Sequence, residues 1–472
     1  MKEKLVSYIR NLCIRKRVAI IGFGKEGIST YNLLRSVFSE IRVFVVDKNA
    51  QALRDKFVGD KVVFLNGSEA DFDLNHFDVV FKSPGVPARE FGISRLMPHV
   101  QLTSQTQIIL ELFSEKIIGI TGTKGKSTTT TLLHEIVRAA GFHVVIAGNI
   151  GLPFFDIFET GDNPIDYFVC EFSSHQLQTI AHSPHFSILL NIYEDHLDYY
   201  ESYSDYQRAK FNIFEHQQGT DFCVFNRDSD ILLKEISSKR RAFTILSYTL
   251  ESSLPKMLSG CYLKDRMVWY TYGSISEPVL NVDDIRFLKG DHNIQNIMAA
   301  ICISKLLNIE NSLMQKVISE FQGLPHRMQL VAEINHVKFY NDSISTIPEA
   351  TIYSIQTLGN VGTIIIGGKD RGINYNKLVE FLLLSDIDNI VLLGEVGQKL
   401  YPQILAKRKF GKIHRAENME DVIAYSLKET PEGKACLLSP AAASFGMFRD
   451  FQERGDIFVK LLRKAQYDSK KS

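Results

Sequence analysis

The chain has 472 residues, of which 45% are hydrophobic and 23% are charged. This composition is ordinary for a globular protein and excludes disordered and fibrous classes. Lysine plus arginine equals aspartate plus glutamate, at 54 each, so the net charge gives no support for a nucleic-acid-binding surface. At about 100–200 residues per domain, the length predicts two to four domains.

The N-terminal segment is charged throughout and lacks the apolar run of a signal peptide. Leu5, Ile9 and Leu12 recur at helical spacing, which predicts a short amphipathic helix. No stretch approaches the ~18–20 apolar residues that span a bilayer. The six cysteines are scattered without a CxxC pair. We therefore expect a cytoplasmic protein with reduced thiols and with neither a membrane nor a nucleic-acid partner.

The first block of the sequence predicts a parallel sheet, because short β-rich runs at 18–22, 42–47 and 78–83 are separated by helical lengths. Gly22-Phe-Gly-Lys-Glu-Gly27 follows the first run, and Asp47 ends the second. This pattern alone is typical of a dinucleotide fingerprint. NAD, another nucleotide and a glycine turn without a ligand remain open, and another nucleotide is favoured. Ser83-Pro-Gly85 is either a ligand contact at the sheet edge or a simple β-turn.

Two further blocks follow the same plan. The second has strand patterns at 117–121, 167–171, 186–191 and 221–226, and residues 241–289 predict an antiparallel β insertion before a helix near Asn293. The third has strand patterns at 362–367, 389–394 and 435–439. The predicted fold class is therefore α/β with three domains. These are an N-terminal Rossmann-like parallel sheet (1–110), a central P-loop ATPase-type domain with a small β insertion (111–323), and a C-terminal Rossmann-like domain (324–472).

The segment Gly119-Ile-Thr-Gly-Thr-Lys-Gly-Lys-Ser-Thr128 lies between a strand pattern and a helical run. That is the context of a P-loop, in which backbone N–H groups and a helix N-terminus face phosphates. Lys126 would then reach the β- and γ-phosphates, and the Ser127 hydroxyl would ligate Mg²⁺. Ile120 stands where a P-loop usually has its first glycine. The alternative is a chance Gly-Lys-Ser in a strand-to-helix turn.

Acidic, amide and basic groups follow several strands. Glu171 ends one strand, and Asn191-Ile-Tyr-Glu-Asp-His-Leu-Asp198 follows the next, which favours a metal or phosphate site over a solvated loop. Lys210, on the residues alone, is typical of an exposed helix lysine.

Polar residues also occur at three later positions. Asn293 and Asn296 are one helical turn apart and could face a purine edge, although N-capping would also explain Asp291 or Asn293. Arg327 follows a turn at the predicted hinge near residues 323–327. Asn341-Asp-Ser343 could contact a phosphate or metal, or form an Asx-turn.

These segments, together with Leu437-Leu-Ser-Pro-Ala-Ala-Ala-Ser-Phe-Gly-Met-Phe-Arg-Asp-Phe-Gln-Glu-Arg-Gly455, resemble the Mur ligase family across essentially the whole chain. The family replaces the usual P-loop start, which accounts for Ile120. The resemblance implies an ATP-dependent amide ligase that adds D-glutamate to UDP-N-acetylmuramoyl-L-alanine through an acyl phosphate, in the cytoplasmic stage of peptidoglycan synthesis. It also implies two Mg²⁺ ions, a CO₂-derived carbamate on Lys210, and a monomer.

The resemblance implies site residues by position. Catalytic roles fall to Lys126, His196, Lys210 and Arg327. The ATP site would comprise Gly122, Thr123, Lys124, Gly125, Lys126, Ser127, Thr128, Asn293, Asn296, Arg327 and Asp342. The UDP-linked substrate would contact Gly24, Lys25, Glu26, Asp47, Ser83, Pro84, Gly85, Asn149 and His196. D-glutamate would contact Thr346, Arg371, Ser444 and Phe451. The metal ligands would be Ser127, Glu171, His196 and Lys210, the last as its carbamate.

Two positions depart from the family pattern. Ile344 stands where the family often has a lysine, and Arg371 stands where some relatives have one. Because an arginine can grip a carboxylate with two hydrogen bonds, we expect Arg371 to carry more of the amino-acid binding. On the residues alone, two other classes compete. An NAD-dependent oxidoreductase leaves the P-loop and the C-terminal segment unexplained, and a non-enzymatic P-loop switch does not need three sheets with ligand edges.

Overall fold

The computed structural model describes residues 1–48, 50–54, 61–66, 73–87, 89–90, 93–158, 164–195, 199–407 and 411–469. These residues form three β-sheets with flanking helices, which confirms the predicted α/β class. The chain divides into two compact units, Met1–Phe321 and Gln322–Ser472. The first unit holds two of the sheets and the second unit holds the third. The division into three domains, with a boundary near residue 110, stays a prediction.

The first sheet is parallel, and its described strands have the order β3-β2-β1-β4-β5. They are β1 (Val18–Ile21), β2 (Val43–Asp47), β3 (Val62–Asn66), β4 (Val79–Lys82) and β5 (Gln101–Thr103). The helices of this region are α1 (Lys2–Cys13), α2 (Lys25–Val37), α3 (Ala50–Arg54) and α4 (Gln105–Phe113). The direction of strand addition reverses between β1 and β4. In open parallel sheets, ligands bind at the carboxyl edge beside such a reversal.

The predicted N-terminal helix is confirmed as α1. Its buried residues include Leu5, Ile9 and Leu12, the three that the helical spacing singled out.

The second sheet has the order β14-β13-β12-β11-β10-β9-β6-β8-β7 among the described strands. They are β6 (Ile117–Thr121), β7 (Val144–Gly148), β8 (Tyr167–Glu171), β9 (Phe186–Leu189), β10 (Phe222–Asn226), β11 (Thr244–Thr249), β12 (Ser259–Lys264), β13 (Met267–Tyr272) and β14 (Ile275–Asn281). The helices are α5 (Lys126–Ala139), α6 (Phe154–Ile157), α7 (Ser174–Leu177), α8 (Tyr203–Glu215), α9 (Asp230–Ser237), α10 (Asp291–Leu306) and α11 (Asn311–Glu320). Strand β6 lies between β8 and β9, so the segments after these three strands meet at one edge.

The β insertion predicted over residues 241–289 starts later than expected. Strand β11 pairs in parallel with both β10 and β12, and so extends the main sheet. The antiparallel part is formed by β12, β13 and β14.

The third sheet has the order β15-β16-β20-β17-β18-β19 among the described strands. They are β15 (Gln329–Ile334), β16 (Val337–Asn341), β17 (Val361–Gly367), β18 (Asn389–Leu393), β19 (Lys412–Ala416) and β20 (Ala435–Leu438). The helices are α12 (Pro348–Leu358), α13 (Asn376–Leu384), α14 (Gly394–Leu405), α15 (Met419–Glu429) and α16 (Phe451–Ser469). Among the described strands of this sheet, only β15 pairs with its neighbour in the antiparallel direction. Strand β17 is buried along its whole length. The loops after β16, β20 and β17 therefore leave neighbouring strands at one edge.

Two general features of the chain are clear from the described residues. None of their helices is both long and apolar enough to cross a bilayer. All six cysteines are buried and unbridged, as the scattered spacing predicted.

Close packing between α2 and the turn after β1 depends on Gly27. A Cβ atom at this position would lie 2.2 Å from the Gly22 carbonyl oxygen, whereas a Cβ at Gly24 would meet nothing within 4 Å. The third glycine of the GxGxxG pattern thus lets the helix approach the strand.

We therefore predict that Gly27→Ala destabilises the first unit by about 1–3 kcal/mol, because overpacking forces the backbone to shift. The fall should be measured as a lower thermal unfolding midpoint by calorimetry. Gly24→Ala is the matched control and should leave the midpoint nearly unchanged. Equal midpoints for both variants would contradict this account.

Candidate active site

The loop between β6 and α5 presents an open helix N-terminus. Gly125 precedes the 14-residue helix α5 with a left-handed φ of +85° and offers no side chain to cap it. The Lys126 ammonium donates to the carbonyl oxygens of Gly122 (2.9 Å) and Thr123 (3.0 Å). Uncapped N–H groups and a nearby cation are the features that bind phosphate at a helix N-terminus.

Asn191 clamps this loop from the next strand. Its side-chain oxygen accepts from the Lys124 N–H (2.8 Å), and its side-chain N–H₂ donates to the Lys124 carbonyl (3.0 Å). Its carbonyl accepts from the Thr123 N–H (2.9 Å). The sequence pattern alone predicted no separate role for Asn191. The available signal was a single amide that follows the largely apolar run Phe186-Ser-Ile-Leu-Leu190.

Lys210 is buried, with 2% of its surface exposed, so the interpretation as an exposed helix lysine is wrong. Its ammonium donates to the Gly122 carbonyl at 2.8 Å and lies 5.0 Å from the centre of the Tyr206 ring. Burial lowers the pKa of Lys210 to about 7, and the charge of Lys126 acts in the same direction. The predicted catalytic lysines 126 and 210 thus both contact the carbonyl of Gly122.

Tyr206 is a second residue for which the sequence analysis had no role. Its hydroxyl forms a 2.8 Å hydrogen bond with the Thr123 hydroxyl in the loop. The ring is almost fully buried and packs edge-on against Tyr200. Helix α8 therefore holds the loop through Tyr206 while it delivers Lys210 to the same place.

Glu171 and Asn149 meet at the carboxyl ends of β8 and β7. The Asn149 side chain donates to Glu171 Oε1 at 2.7 Å, and the Asn149 N–H donates to the Glu171 carbonyl at 2.8 Å. Glu171 is 1% exposed, and its Oε2 has no hydrogen-bond partner among the described residues. A buried carboxylate oxygen of this kind is suited to a cation.

Helix α10 brings Asn296 against the loop. Asn296 is buried, and a Cβ atom added at Gly125 would lie 2.4 Å from its side-chain oxygen. The Asn296 side chain also donates to the Asn293 side-chain oxygen at 3.4 Å. The start of α10 has Gly290 as its N-cap and no side-chain capping bond. Capping therefore does not explain Asn293, whose side chain donates to the Lys289 carbonyl instead.

A crevice lies at the carboxyl edge of the first sheet, beside the reversal between β1 and β4. Asp47 accepts from the Phe23 N–H (2.8 Å), and the Ser83 hydroxyl donates to the Gly22 carbonyl (2.7 Å). Residues 83–86 form a β-turn, closed by the Val86 N–H on the Ser83 carbonyl. A cavity of about 440 Å³ opens here. Its walls include Gly22, Asp47, Lys48, Gly85, Arg89 and Tyr199.

The crevice therefore gathers the segments that carry most of the residues predicted to contact a UDP-linked substrate. Gly24, Lys25 and Glu26 belong to the turn and first helical residues after β1, and Pro84 belongs to the β-turn. Tyr199, which the sequence analysis missed, links this region to the second sheet, because its hydroxyl donates to the Val86 carbonyl at 2.9 Å.

In the second unit, Asp342 anchors the segment that carries Arg327. Its carboxylate accepts from the Met328 N–H (3.2 Å) and from the hydroxyls of Ser354 (2.7 Å) and Ser439 (2.8 Å). Burial raises the pKa of Asp342 despite these bonds. Arg327 itself is exposed and lies between two non-glycine residues with left-handed φ angles, His326 and Met328. This arrangement favours a supporting role for Asp342 and a ligand-facing role for Arg327.

The predicted amino-acid site gathers the loops after β16, β17 and β20. The Lys369 N–H donates to the Ala443 carbonyl (2.8 Å), which ties the Arg371 loop to the segment of Ser444. The Ala441 N–H donates to the Ser345 carbonyl (2.9 Å), beside Thr346. Ser444 is buried, whereas Arg371 is exposed.

Phe451 and Arg454 of helix α16 form hydrogen bonds with these loops. The Ser343 hydroxyl donates to the Phe451 carbonyl at 2.8 Å. Arg454 is 1% exposed and donates to the Ser343 hydroxyl (2.9 Å), the Ser343 carbonyl (2.8 Å) and the Ala442 carbonyl (3.0 Å). The Ser343 N–H in turn donates to the Asn341 side chain, so the Asx-turn alternative is present. Arg454 had no assigned role in the sequence analysis.

Some predicted residues are not brought together by the described geometry. His196 lies outside the described residues. Arg327 and Asp342 belong to the second compact unit, and Lys126 and Asn293 to the first. Within the described ranges, no group of three or more His, Cys, Asp or Glu side chains could hold a metal ion. The predicted metal site combines Ser127, Glu171, His196 and a modified Lys210, and the roles of all these residues stay predictions.

Two family models match the chain. The Mur ligase middle domain matches residues 120–304, and the Mur ligase glutamate ligase domain matches residues 326–442. The chain is 32% identical over 458 residues to UDP-N-acetylmuramoylalanine–D-glutamate ligase of Geobacillus kaustophilus (strain HTA426), covering 96% of this chain and 98% of the relative. It is 29% identical to the protein of the same name from Bacillus subtilis (strain 168), covering 94% and 97%.

Solved structures of related ligases share the fold. UDP-N-acetylmuramate-alanine ligase from Thermotoga maritima has a TM-score of 0.51 at 18% identity, covering 95% of this chain and all of that one. UDP-N-acetylmuramoyl-L-alanyl-D-glutamate–2,6-diaminopimelate ligase has a TM-score of 0.53 at 16% identity, covering 91% and 94%.

The clamp on the loop leads to a prediction. Asn191→Ala should raise the KM for ATP about tenfold or more, because the loop loses two hydrogen bonds of about 1 kcal/mol each. Steady-state kinetics at saturating concentrations of the other substrates would measure this effect. Asn281→Ala, which removes a similar amide contact in the β insertion, is the control and should leave the KM unchanged. An unaltered KM for ATP in Asn191→Ala would show that the clamp does not shape the nucleotide site.

Proposed function

The chain belongs to the Mur ligase family, and we propose that it is an ATP-dependent ligase that joins D-glutamate to UDP-N-acetylmuramoyl-L-alanine in peptidoglycan synthesis. The observation that carries this proposal is the near-full-length similarity to relatives of that name. The geometry agrees with it, because an open helix N-terminus, two lysines and a buried glutamate meet at one sheet edge. The proposal includes a cytoplasmic location and a monomer.

The chemistry of amide formation defines what the protein must supply. A carboxylate does not react with an amine near neutral pH because its leaving group is poor. Transfer of the γ-phosphoryl group of ATP to the alanine carboxylate gives an acyl phosphate and ADP. The amine of D-glutamate then attacks the acyl carbon, loses a proton, and expels inorganic phosphate. The protein contributes mainly by positioning the reactants and neutralising charge.

Each element of the loop has a role in that chemistry. The N–H groups at the start of α5 and the Lys126 ammonium would bind the phosphates. Asn191 and Tyr206 would keep the loop in its binding conformation. The exposed Arg327, held by the Asp342 anchor, would add a further positive charge at the nucleotide.

The residues present fit Mg²⁺. Glu171 offers a buried oxygen that accepts no hydrogen bond from the described residues, and Ser127 is the second residue of the helix that follows the phosphate loop. Ser127, Glu171, His196 and a modified Lys210 would hold the ions. Bound Mg²⁺ would supply positive charge that offsets the charge of the transferring phosphoryl group.

Lys210 fits the proposed carbamate. It is buried against neutral oxygen atoms, the Gly122 carbonyl and the Thr121 hydroxyl (3.4 Å). The lowered pKa supports a neutral amine, which is the form that adds to CO₂ and releases a proton. The product has a carboxylate-like head group, and it would turn a cation into a metal ligand.

The amino-acid site would use Arg371 and Ser444 for the carboxylates of D-glutamate, with Thr346 and Phe451 as further contacts. Glutamate brings two carboxylates, and buried carboxylates need paired donors. Arg454 would hold the Ser343 and Ala442 segments beneath this site.

The proposal is tested by the turnover that it requires. Phosphate release from ATP should depend on both UDP-N-acetylmuramoyl-L-alanine and D-glutamate. An NAD-dependent oxidoreductase would show neither dependence, and a P-loop switch would release phosphate without them. ATP turnover that does not depend on one of these two substrates would refute the proposed ligase activity.

Loss of the buried lysine gives a prediction with a chemical rescue. Lys210→Ala should be nearly inactive, since it removes the proposed carbamate, and added short-chain carboxylates should restore part of the activity. Phosphate release with and without formate or acetate measures both effects. Lys234→Ala removes an exposed lysine from α9 and should behave like the unaltered protein. Full activity in Lys210→Ala would exclude the carbamate.

Arg371 provides the test of the amino-acid site. Arg371→Ala should raise the KM for D-glutamate on the order of 10²-fold, because loss of a bidentate charged contact costs about 2–5 kcal/mol. The KM values for ATP and the muramoyl substrate should barely change. Lys377→Ala, an exposed lysine at the start of α13, serves as the control. If the D-glutamate KM stays constant in Arg371→Ala, Lys369 becomes the next candidate, although it pairs with Glu395 at 2.5 Å.

A further inference from the structure

A pair of ionisable groups, the buried Lys82 and the partly buried Glu26, lies near the start of α2. Glu26 is the second residue of that helix, and Lys82 is the last residue of β4. The Gln176 side chain donates to Glu26 Oε1 at 3.1 Å, whereas Oε2 is buried without a hydrogen-bond partner among the described residues. Lys82 is only 5% exposed. The pair therefore lies between the first sheet and the segment after β8 in the second.

The groups that face Glu26 come from three elements. Gln176 of α7 is neutral, and Gln105 of α4 donates to the Glu26 carbonyl at 3.0 Å and is also neutral. Lys82 of β4 is the charged group whose field acts on the Glu26 carboxylate. Burial raises the pKa of Glu26 to about 7, and the Gln176 hydrogen bond and Lys82 oppose this. Burial lowers the pKa of Lys82 to about 8, and Glu26 opposes this.

The position of the pair matters because α2 begins at the crevice of the first sheet. The N-cap of this 13-residue helix is Gly24, without a side-chain capping bond, so its first N–H groups point toward an anion site. A carboxylate at the second helical position would repel a diphosphate there. The repulsion between the Glu26 carboxylate and the diphosphate is offset when Glu26 is protonated and Lys82 is charged.

We infer that Glu26 and Lys82 act as a proton-accepting pair beneath the diphosphate site, so that binding of the nucleotide substrate is coupled to proton uptake. The inference rests on the proposed function, because it takes the crevice as the site of a UDP-linked substrate. The bound dianion makes it more favourable for Glu26 to hold a proton and for Lys82 to keep its own. The proton comes from the solvent, and no covalent bond of the substrate changes.

The direction of the pH dependence follows from this coupling. An anion bound beside the pair raises both pKa values, so the bound state holds more protons than the free state. Affinity must then fall as pH rises through the range 7 to 8. With about half a proton taken up on average, the Kd should rise about tenfold between pH 6.5 and 8.5.

Isothermal titration calorimetry with UDP-N-acetylmuramoyl-L-alanine measures both quantities. Its diphosphate is a diester and does not titrate in this pH range. The Kd at several pH values gives the slope, and the binding enthalpy in two buffers of different ionisation enthalpy gives the protons taken up. We expect uptake near pH 7 in the unaltered protein.

Three variants separate the contributions of the pair. Glu26→Gln should bind the substrate more tightly than the unaltered protein at pH 8.5, because the repelling charge is gone. Lys82→Met should bind more weakly at pH 7, by about tenfold. The double variant E26Q/K82M should take up almost no proton, and its Kd should change less than about twofold over the same pH range. Glu40→Gln is the matched control, since it alters an exposed glutamate beyond the other end of α2.

The outcomes distinguish the inference from the proposed function. Binding of the substrate without proton uptake, or with the same pH slope in the double variant, would overturn the inference alone. No binding of the substrate by the unaltered protein would overturn both. Thermal unfolding midpoints identify a variant that fails to fold. If another variant fails to fold, the near-isosteric Glu26→Gln variant provides the test. An unchanged affinity of this variant for the substrate at pH 8.5 would also overturn the inference.

Discussion

The structure depends on one constraint: a phosphate-binding helix N-terminus must leave its own N–H groups open, so its loop has to be fixed by other parts of the chain. Four residues from three parts of the first unit provide that support. Asn191 clamps Lys124 from the end of β9, and Tyr206 and Lys210 reach the loop from α8. Asn296 packs against Gly125 from α10. The loop is therefore held in place by side chains on its inner side, and its N–H groups stay open on the side of the proposed ligand.

Basic side chains are also buried at the sheet edges, next to the segments that must stay open for ligands. Lys210, Lys82 and Arg454 are each at most 5% exposed. Lys210 and Arg454 donate to carbonyl and hydroxyl oxygens, which are neutral acceptors. A buried charge with such partners is costly for folding alone. An anionic substrate, or the proposed modification of Lys210, would offset this cost at the proposed phosphate, diphosphate and amino-acid positions.

Much of the fold could be predicted because parallel strands buried on both faces are nearly continuous apolar runs. Strands β1, β6 and β17 have this character and were recognised. The edge strand β19, Lys-Ile-His-Arg-Ala, is only partly buried and has no such signal. The pattern of β11 does not reveal whether its neighbour runs parallel or antiparallel, so the insertion was placed too early. The P-loop and the crevice could be located because each motif follows its own strand.

Contacts between distant segments were beyond local sequence patterns. A lysine on a helix is usually exposed, and only the packing of α8 against β6 and β9 buries Lys210. Glu26 is a second example. The sequence places it in a glycine-rich turn, and a residue in such a turn is expected to contact a nucleotide. Burial raises the pKa of Glu26, and this shift is opposed by Gln176 of α7 and by Lys82, 56 positions later. Because segments of both sheets contribute to the environment of one carboxyl group, the proposed substrate binding at the first sheet has a physical connection to the chain that follows β8, the strand that Glu171 ends. A charge change at Glu26 would act on the Gln176 hydrogen bond, and through it on the segment that carries the proposed metal ligand.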